Sequence, residues 1–107
     1  GERVPGGTLF VRPRFRTAIA LIASADVLAA AGVTPHLSWI SKCWDRGADT
    51  VYLCARGSAN IKVAQGIARI LVSTGSVEKL SDDTTTTYSP EGEPVSLIII
   101  VLYKKGP

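Results

Sequence analysis

With 107 residues, 46% of them apolar and 20% charged, the chain has material for one compact domain and one core but not for two, and its composition is not that of a disordered chain. The net charge of +3 favours an anionic partner, and the whole excess sits in residues 1–16, where Arg3, Arg12, Arg14 and Arg16 face Glu2 alone. Cys43 and Cys54 match no metal-ligand spacing and are too few for a secreted disulfide framework, which points to an intracellular setting, cytoplasm or nucleus.

Residues 1–7 hold three glycines and a proline without periodicity and read as a flexible leader to a single domain over 8–107. Residues 8–11 form a short strand closed by Pro13. Residues 17–31 carry seven alanines in fifteen positions, with Gly32 after them, and predict a helix, although 18–23 also alternates as a strand does. The order of arginines, apolar run and small residues from 12 to 31 imitates a secretion signal, but its basic part lies well inside the chain. Asp26 also interrupts the richest apolar stretch, so no run reaches the roughly 18 residues that a membrane span needs. The chain contains no Met, so residue 1 is expected not to be the native start.

Thr34 and Pro35 start a helix over 34–46, ended by Gly47, with Leu37, Ile40 and Trp44 as its buried stripe and Lys42, Asp45 and Arg46 facing water. Residues 50–55 mix β-branched and aromatic types without interruption and predict a central strand. After Arg56 and Gly57, residues 58–72 place Ile61, Ala64, Ile67, Ala68 and Leu71 at helical spacing, with Ser58 as cap. Residues 77–89 predict a polar, threonine-rich, protruding strand, 90–94 a turn, and 95–103 an apolar core strand that closes a hairpin. The six apolar residues from 97 to 102 exceed what one sheet face buries by alternation, so both faces of that strand are expected to be covered, one of them by a dimer partner.

The segment Arg46-Gly47-Ala48-Asp49-Thr50-Val51-Tyr52-Leu53-Cys54-Ala55-Arg56-Gly57-Ser58-Ala59-Asn60-Ile61-Lys62 resembles the core signature of the Alba family, which includes the Alba-type subunits of ribonuclease P/MRP. There a glycine ends the first helix, an apolar strand runs into Ala-Arg-Gly, and a second helix opens with Ala and carries a Lys. Gly47, Ala55, Arg56, Gly57, Ala59 and Lys62 match, and the hairpin ending in Lys104-Lys105 fits as well. The resemblance covers residues 35–105. It implies an α/β, two-layer Alba-like sandwich of βαβαββ order with a long terminal β-hairpin, carrying here an extra N-terminal helical element. It also implies RNA or DNA as ligand, and a homodimer or a heterodimer with another Alba-like chain.

The junction makes chemical sense without the name, because a strand entering a tight glycine turn and a helix offers free N–H groups and the positive helix end to a phosphate. Arg56 adds a bidentate contact and Lys62 a charge one turn further on. Arg12, Arg14 and Arg16 around Phe15 form a second candidate, of the kind single-stranded RNA binders use. An ungapped count back from Gly57 puts the family's basic pair at Ala30 and Ala31, so the first strand of the Alba core lies either at 8–12, with a helix gained after it, or within 24–30. Propensity favours the first reading. Asp82, Asp83, Glu91 and Glu93 make the hairpin acidic, which disfavours sequence-blind duplex DNA binding and turns the expectation to RNA. A protein-interaction module with the same fold and little nucleic-acid binding is the alternative. No catalytic set, metal site or cofactor motif is found: His36 is the single histidine and is expected at a helix surface, and adjacent Asp82 and Asp83 point to opposite strand faces.

Overall fold

The computed structural model describes residues 3–4, 7–12, 17–22 and 34–106, with side chains from His36 to Gly106. Among the described residues six strands and two helices follow in chain order: β1 Arg3–Val4, β2 Gly7–Arg12, β3 Thr17–Ile22, α1 Thr34–Asp45, β4 Thr50–Arg56, α2 Ser58–Ser73, β5 Val77–Tyr88 and β6 Pro94–Lys104. They make one sheet of order β1-β2-β3-β4-β6-β5, in which β3 and β4 are parallel and the other neighbours antiparallel. The protein is therefore an α/β fold, with both helices sharing one core with β4 and β6.

Alternation in β4 and β6 builds that core. Val51, Leu53 and Ala55 stand in register with Leu102, Ile100 and Ile98, and all six side chains are at most 1% exposed. Trp39, Ile40 and Cys43 of α1 and Ala64, Ile67 and Ala68 of α2 close over them. The stripe of α1 is thus His36, Trp39, Ile40 and Cys43, while Leu37 and Trp44, expected at its centre, flank it half-buried. Lys42, Asp45 and Arg46 are exposed as expected. Gly47, at φ +95°, ends α1, with the Ala48 N–H donating to the Cys43 carbonyl and the Gly47 N–H to that of Trp44, the paired bonds of a left-handed helix stop.

Three expectations are corrected. Residues 17–22, expected as helix, are a strand, because backbone pairing claims all six of them on both sides, from β2 and from β4, and such pairing overrides the helix preference of alanine. The neighbour of β4 is accordingly Thr17–Ile22, neither 8–12 nor 24–30, and what precedes it in the described residues is the β1–β2 hairpin rather than a helical element. Arg3 and Val4 pair with Thr8 and Gly7 where an irregular leader was expected; the remainder of the expected helix, 23–31, lies outside the described residues.

The terminal hairpin forms as expected, and β5 is largely exposed on both faces. Lys79 pairs with Leu102 but Ser81 with the next residue, Val101, so Leu80 is an extra residue, a β-bulge, and is 55% exposed. The bulge resets the alternation. It brings Lys79 and Asp82 onto one face, where their side chains meet at 2.8 Å; in an unbroken strand residues three apart point to opposite faces. On β6 Ile98, Ile100 and Leu102 are buried on the helix side, while Ile99 and Tyr103 on the other face, the one for which a partner was expected, are 39% and 36% exposed in the single chain. No helix among the described residues is long and apolar enough to cross a membrane.

Candidate nucleic-acid interface

At the β4–α2 junction the chain passes from extended to helical backbone within one residue. Gly57 does this at φ +90° and ψ 150°, a region essentially open to glycine alone. Its N–H donates to the Ser96 carbonyl at 2.8 Å and its carbonyl accepts from the Ile61 N–H at 2.9 Å, so the turn is bolted both to β6 and to α2. Ser58, expected as the cap, is instead the first helical residue; Gly57 occupies the cap position and no side chain caps the helix. The N–H groups of Ser58, Ala59 and Asn60 have no partner among the described residues, which leaves the first turn of a 16-residue helix with its donors and its dipole unopposed.

Arg56 and Lys62 are both exposed. Lys62 continues on α2 into a stripe of Ser58, Lys62, Gln65 and Arg69, all exposed and spaced at i, i+4, i+7 and i+11. Sequence reasoning missed Arg69, whose signal is its seven-residue distance from Lys62. It also missed Asn60, which is 1% exposed and donates from Nδ2 to the Arg56 carbonyl at 2.8 Å, fixing the residue before the turn. Its Oδ1 is buried without a partner.

The other predicted residues do not gather here. Across the sheet Arg12 stands in register with Thr17, Thr17 with Thr50, and Thr50 with Tyr103, so Arg12 belongs to the end of β4 opposite Arg56. Six residues of strand separate the two, roughly 20 Å. Arg14 and Arg16 lie outside the described residues. The acidic hairpin turn lies on the Arg56 side: Gly57 is bonded to Ser96, and Glu91 and Glu93 follow within the exposed turn between β5 and β6.

His36, expected at the surface, is 2% exposed with Nε2 unpartnered, and burial lowers its pKa below the ordinary value. It is held neutral. Cys54, half-buried on the helix-free face of β4, has its thiol pKa pushed up by burial, the reverse of an activated nucleophile. No cluster of three or more His, Cys, Asp or Glu side chains suited to a metal occurs among the described residues. No family model matches the chain, and no curated protein matches it in sequence.

Proposed function

We propose that this chain is an Alba-like nucleic-acid-binding domain that takes RNA in preference to duplex DNA, as a dimer or a ribonucleoprotein subunit. The observation that carries the proposal is the junction: exposed Arg56 beside an uncapped α2, with Lys62 and Arg69 along the outer helix face, is a phosphate-binding arrangement. From β3 onward the described elements run βαβαββ with strand order β3-β4-β6-β5, which supports the two-layer reading. The acidic residues of the hairpin oppose a duplex-coating arm, since non-specific duplex affinity rests on phosphate neutralisation. Binding rather than catalysis fits a single histidine that is buried.

The dimer, with a second copy or another Alba-like chain, is supported by apolar side chains left exposed on α2 and the hairpin: Val72 is 39% exposed and Leu80 of β5 55%. A groove of about 460 Å³ runs between α2 and β5, lined by Ala68, Val72 and Ile100 together with Gln65, Arg69, Lys79 and Asp82. The same surface favours the second reading, a protein-interaction module. Gel shifts over a salt series with single-stranded RNA, duplex RNA and duplex DNA separate the two. Arg56→Ala is expected to weaken RNA binding across sequences and to lower the salt slope by about 0.7; wild-type protein that shifts no nucleic acid at low salt leaves the interaction module standing.

A further inference from the structure

β5 stands at the margin of the described sheet, with β6 on one side and no described strand on the other. Which of its main-chain groups face that open side follows from β6. The Ser96 carbonyl accepts from the Gly57 N–H, so Ser96 turns its backbone toward β4, and Thr86, opposite Ser96, turns its own N–H and carbonyl outward. Alternation does the same for Asp82, Thr84 and Tyr88, whereas the Ser89 N–H, one residue further on, points inward to the Glu93 carbonyl.

An edge of this kind invites another strand unless lysine, proline or a bulge guards it. β5 is guarded at its start by Lys79 and the bulge at Leu80, and Pro90 stands beyond its end. Between these, Thr84, Thr85, Thr86 and Tyr88 are exposed, carry no charge and favour extended backbone. Tyr88, at 66%, is the most exposed large hydrophobic side chain among the described residues.

We propose that a second copy of this chain pairs with β5 antiparallel, about a two-fold axis at Thr85, and that this is the contact of the dimer read above, on which the inference rests. The symmetry fixes the partners. Thr85 meets its own copy, Thr84 meets Thr86, Asp83 meets Thr87 and Asp82 meets Tyr88, each in both directions. Outward-facing residues then oppose each other, Thr84 with Thr86 and Asp82 with Tyr88, as a hydrogen-bonded ladder requires. An axis between Thr85 and Thr86 sets outward groups against inward ones and makes no ladder. Moved to Thr86, the axis sets Asp82 against Pro90, which has no N–H to give; moved to Thr84, it runs Tyr88 into the bulge. Charge chooses the direction. In the antiparallel pairing no carboxylate opposes another, and Asp82 already holds Lys79 at 2.8 Å. A parallel copy in register sets Asp82 against Asp82 and Asp83 against Asp83, which is unfavourable.

The test is light scattering on the whole chain at micromolar concentration, with wild type expected at twice the chain mass of 11.3 kDa. T86P removes an outward N–H and no bond to β6, and T84K/T86K sets ammonium groups against each other. Both are expected at the single-chain mass with far-UV spectra unchanged. An equimolar mixture of T84K/T86K with T84E/T86E is expected to restore the double mass, because opposite charges then face each other; this keeps the test decisive if T86P disturbs the hairpin. A mixture that stays at the single mass overturns the pairing. A wild-type dimer that T86P and T84K/T86K both leave intact overturns it too, and leaves the dimer reading with its contact at the α2–β5 groove. Wild type at the single-chain mass overturns this inference and the homodimer alike.

Discussion

The two ends of β4 are built from different parts. The Arg56 end is a glycine turn into an uncapped helix, where donors come from backbone and the cations stand on one strand terminus and one helix face. The Thr50 end is a three-way meeting of turns, where Lys104 and Lys105 are fixed by main-chain bonds to Asp49 and Ser76. The first offers partial charges in fixed geometry; the second offers side-chain charge on backbone that the neighbouring turns hold in place.

Both ends hang on one core, so the largest effect that breaks the comparison is loss of that core. Ile100, 1% exposed at the centre of β6, is expected to cost about 2–5 kcal/mol as Ile100→Ala, read by urea denaturation, with the proposed RNA binding lost as well. A cost under about 1 kcal/mol means that the layer is not packed as described. Glycine sharpens the comparison next. Gly57→Ala meets no atom within 4 Å but must hold φ +90°, so it is expected to destabilise by about 1–3 kcal/mol through backbone strain alone. Gly66, equally uncrowded and without a positive φ, sits inside α2; Gly66→Ala is expected to stabilise by about 0.5–1 kcal/mol. Equal signs for the two substitutions contradict the assigned turn.

The smallest effect belongs to pH. α1 runs toward the Thr50 end, so His36 in its first turn lies toward the Arg56 end. Its pKa is lowered in the folded chain by burial, whereas the unfolded chain takes a proton near 6.5. Below that pH the unfolded state binds the proton that the folded state refuses, so stability is flat above about pH 7.5 and falls as pH drops through 6.5, by at most about 1.4 kcal/mol per unit. Urea midpoints between pH 8 and 5.5 measure this. His36→Leu is expected to remove the slope, and a slope that survives it assigns the proton elsewhere.

The elements of the described chain from α1 onward were legible because each carries a plain signal: uninterrupted runs of β-branched, aromatic and apolar residues in β4 and β6, and a period of 3.6 in α2. The junction was legible for a related reason, since arginine and glycine at a strand-to-helix boundary leave few conformations open. Residues 17–22 were not, because Ala18, Ile19, Ala20 and Leu21 satisfy either period, and only pairing on two sides decides between them. The separation of Arg12 from Arg56 was invisible for a topological reason: it depends on β3 being parallel to β4 and antiparallel to β2, which no local pattern encodes. His36 was misread because a polar residue at a helix start is usually solvated, and its burial with Nε2 unpartnered has no local signal.

The bulge at Leu80 has a consequence for how the hairpin finds its alignment. Thr84, Thr85, Thr86 and Thr87 are four identical residues in a row, facing Ile98, Leu97, Ser96 and Val95, and a chain sliding along such a run by two positions meets the same side chains again, like a ruler with unnumbered marks. Alternation forbids a slide by one but is blind to a slide by two. What numbers the marks lies outside the run: the extra residue at Leu80, the Lys79–Asp82 pair that exists only because of it, and at the other end the turn in which the Ser89 N–H donates to the Glu93 carbonyl. Removing Leu80 restores the even comb and with it the freedom to misalign, so the one irregular residue in β5 is what makes its most regular stretch unambiguous.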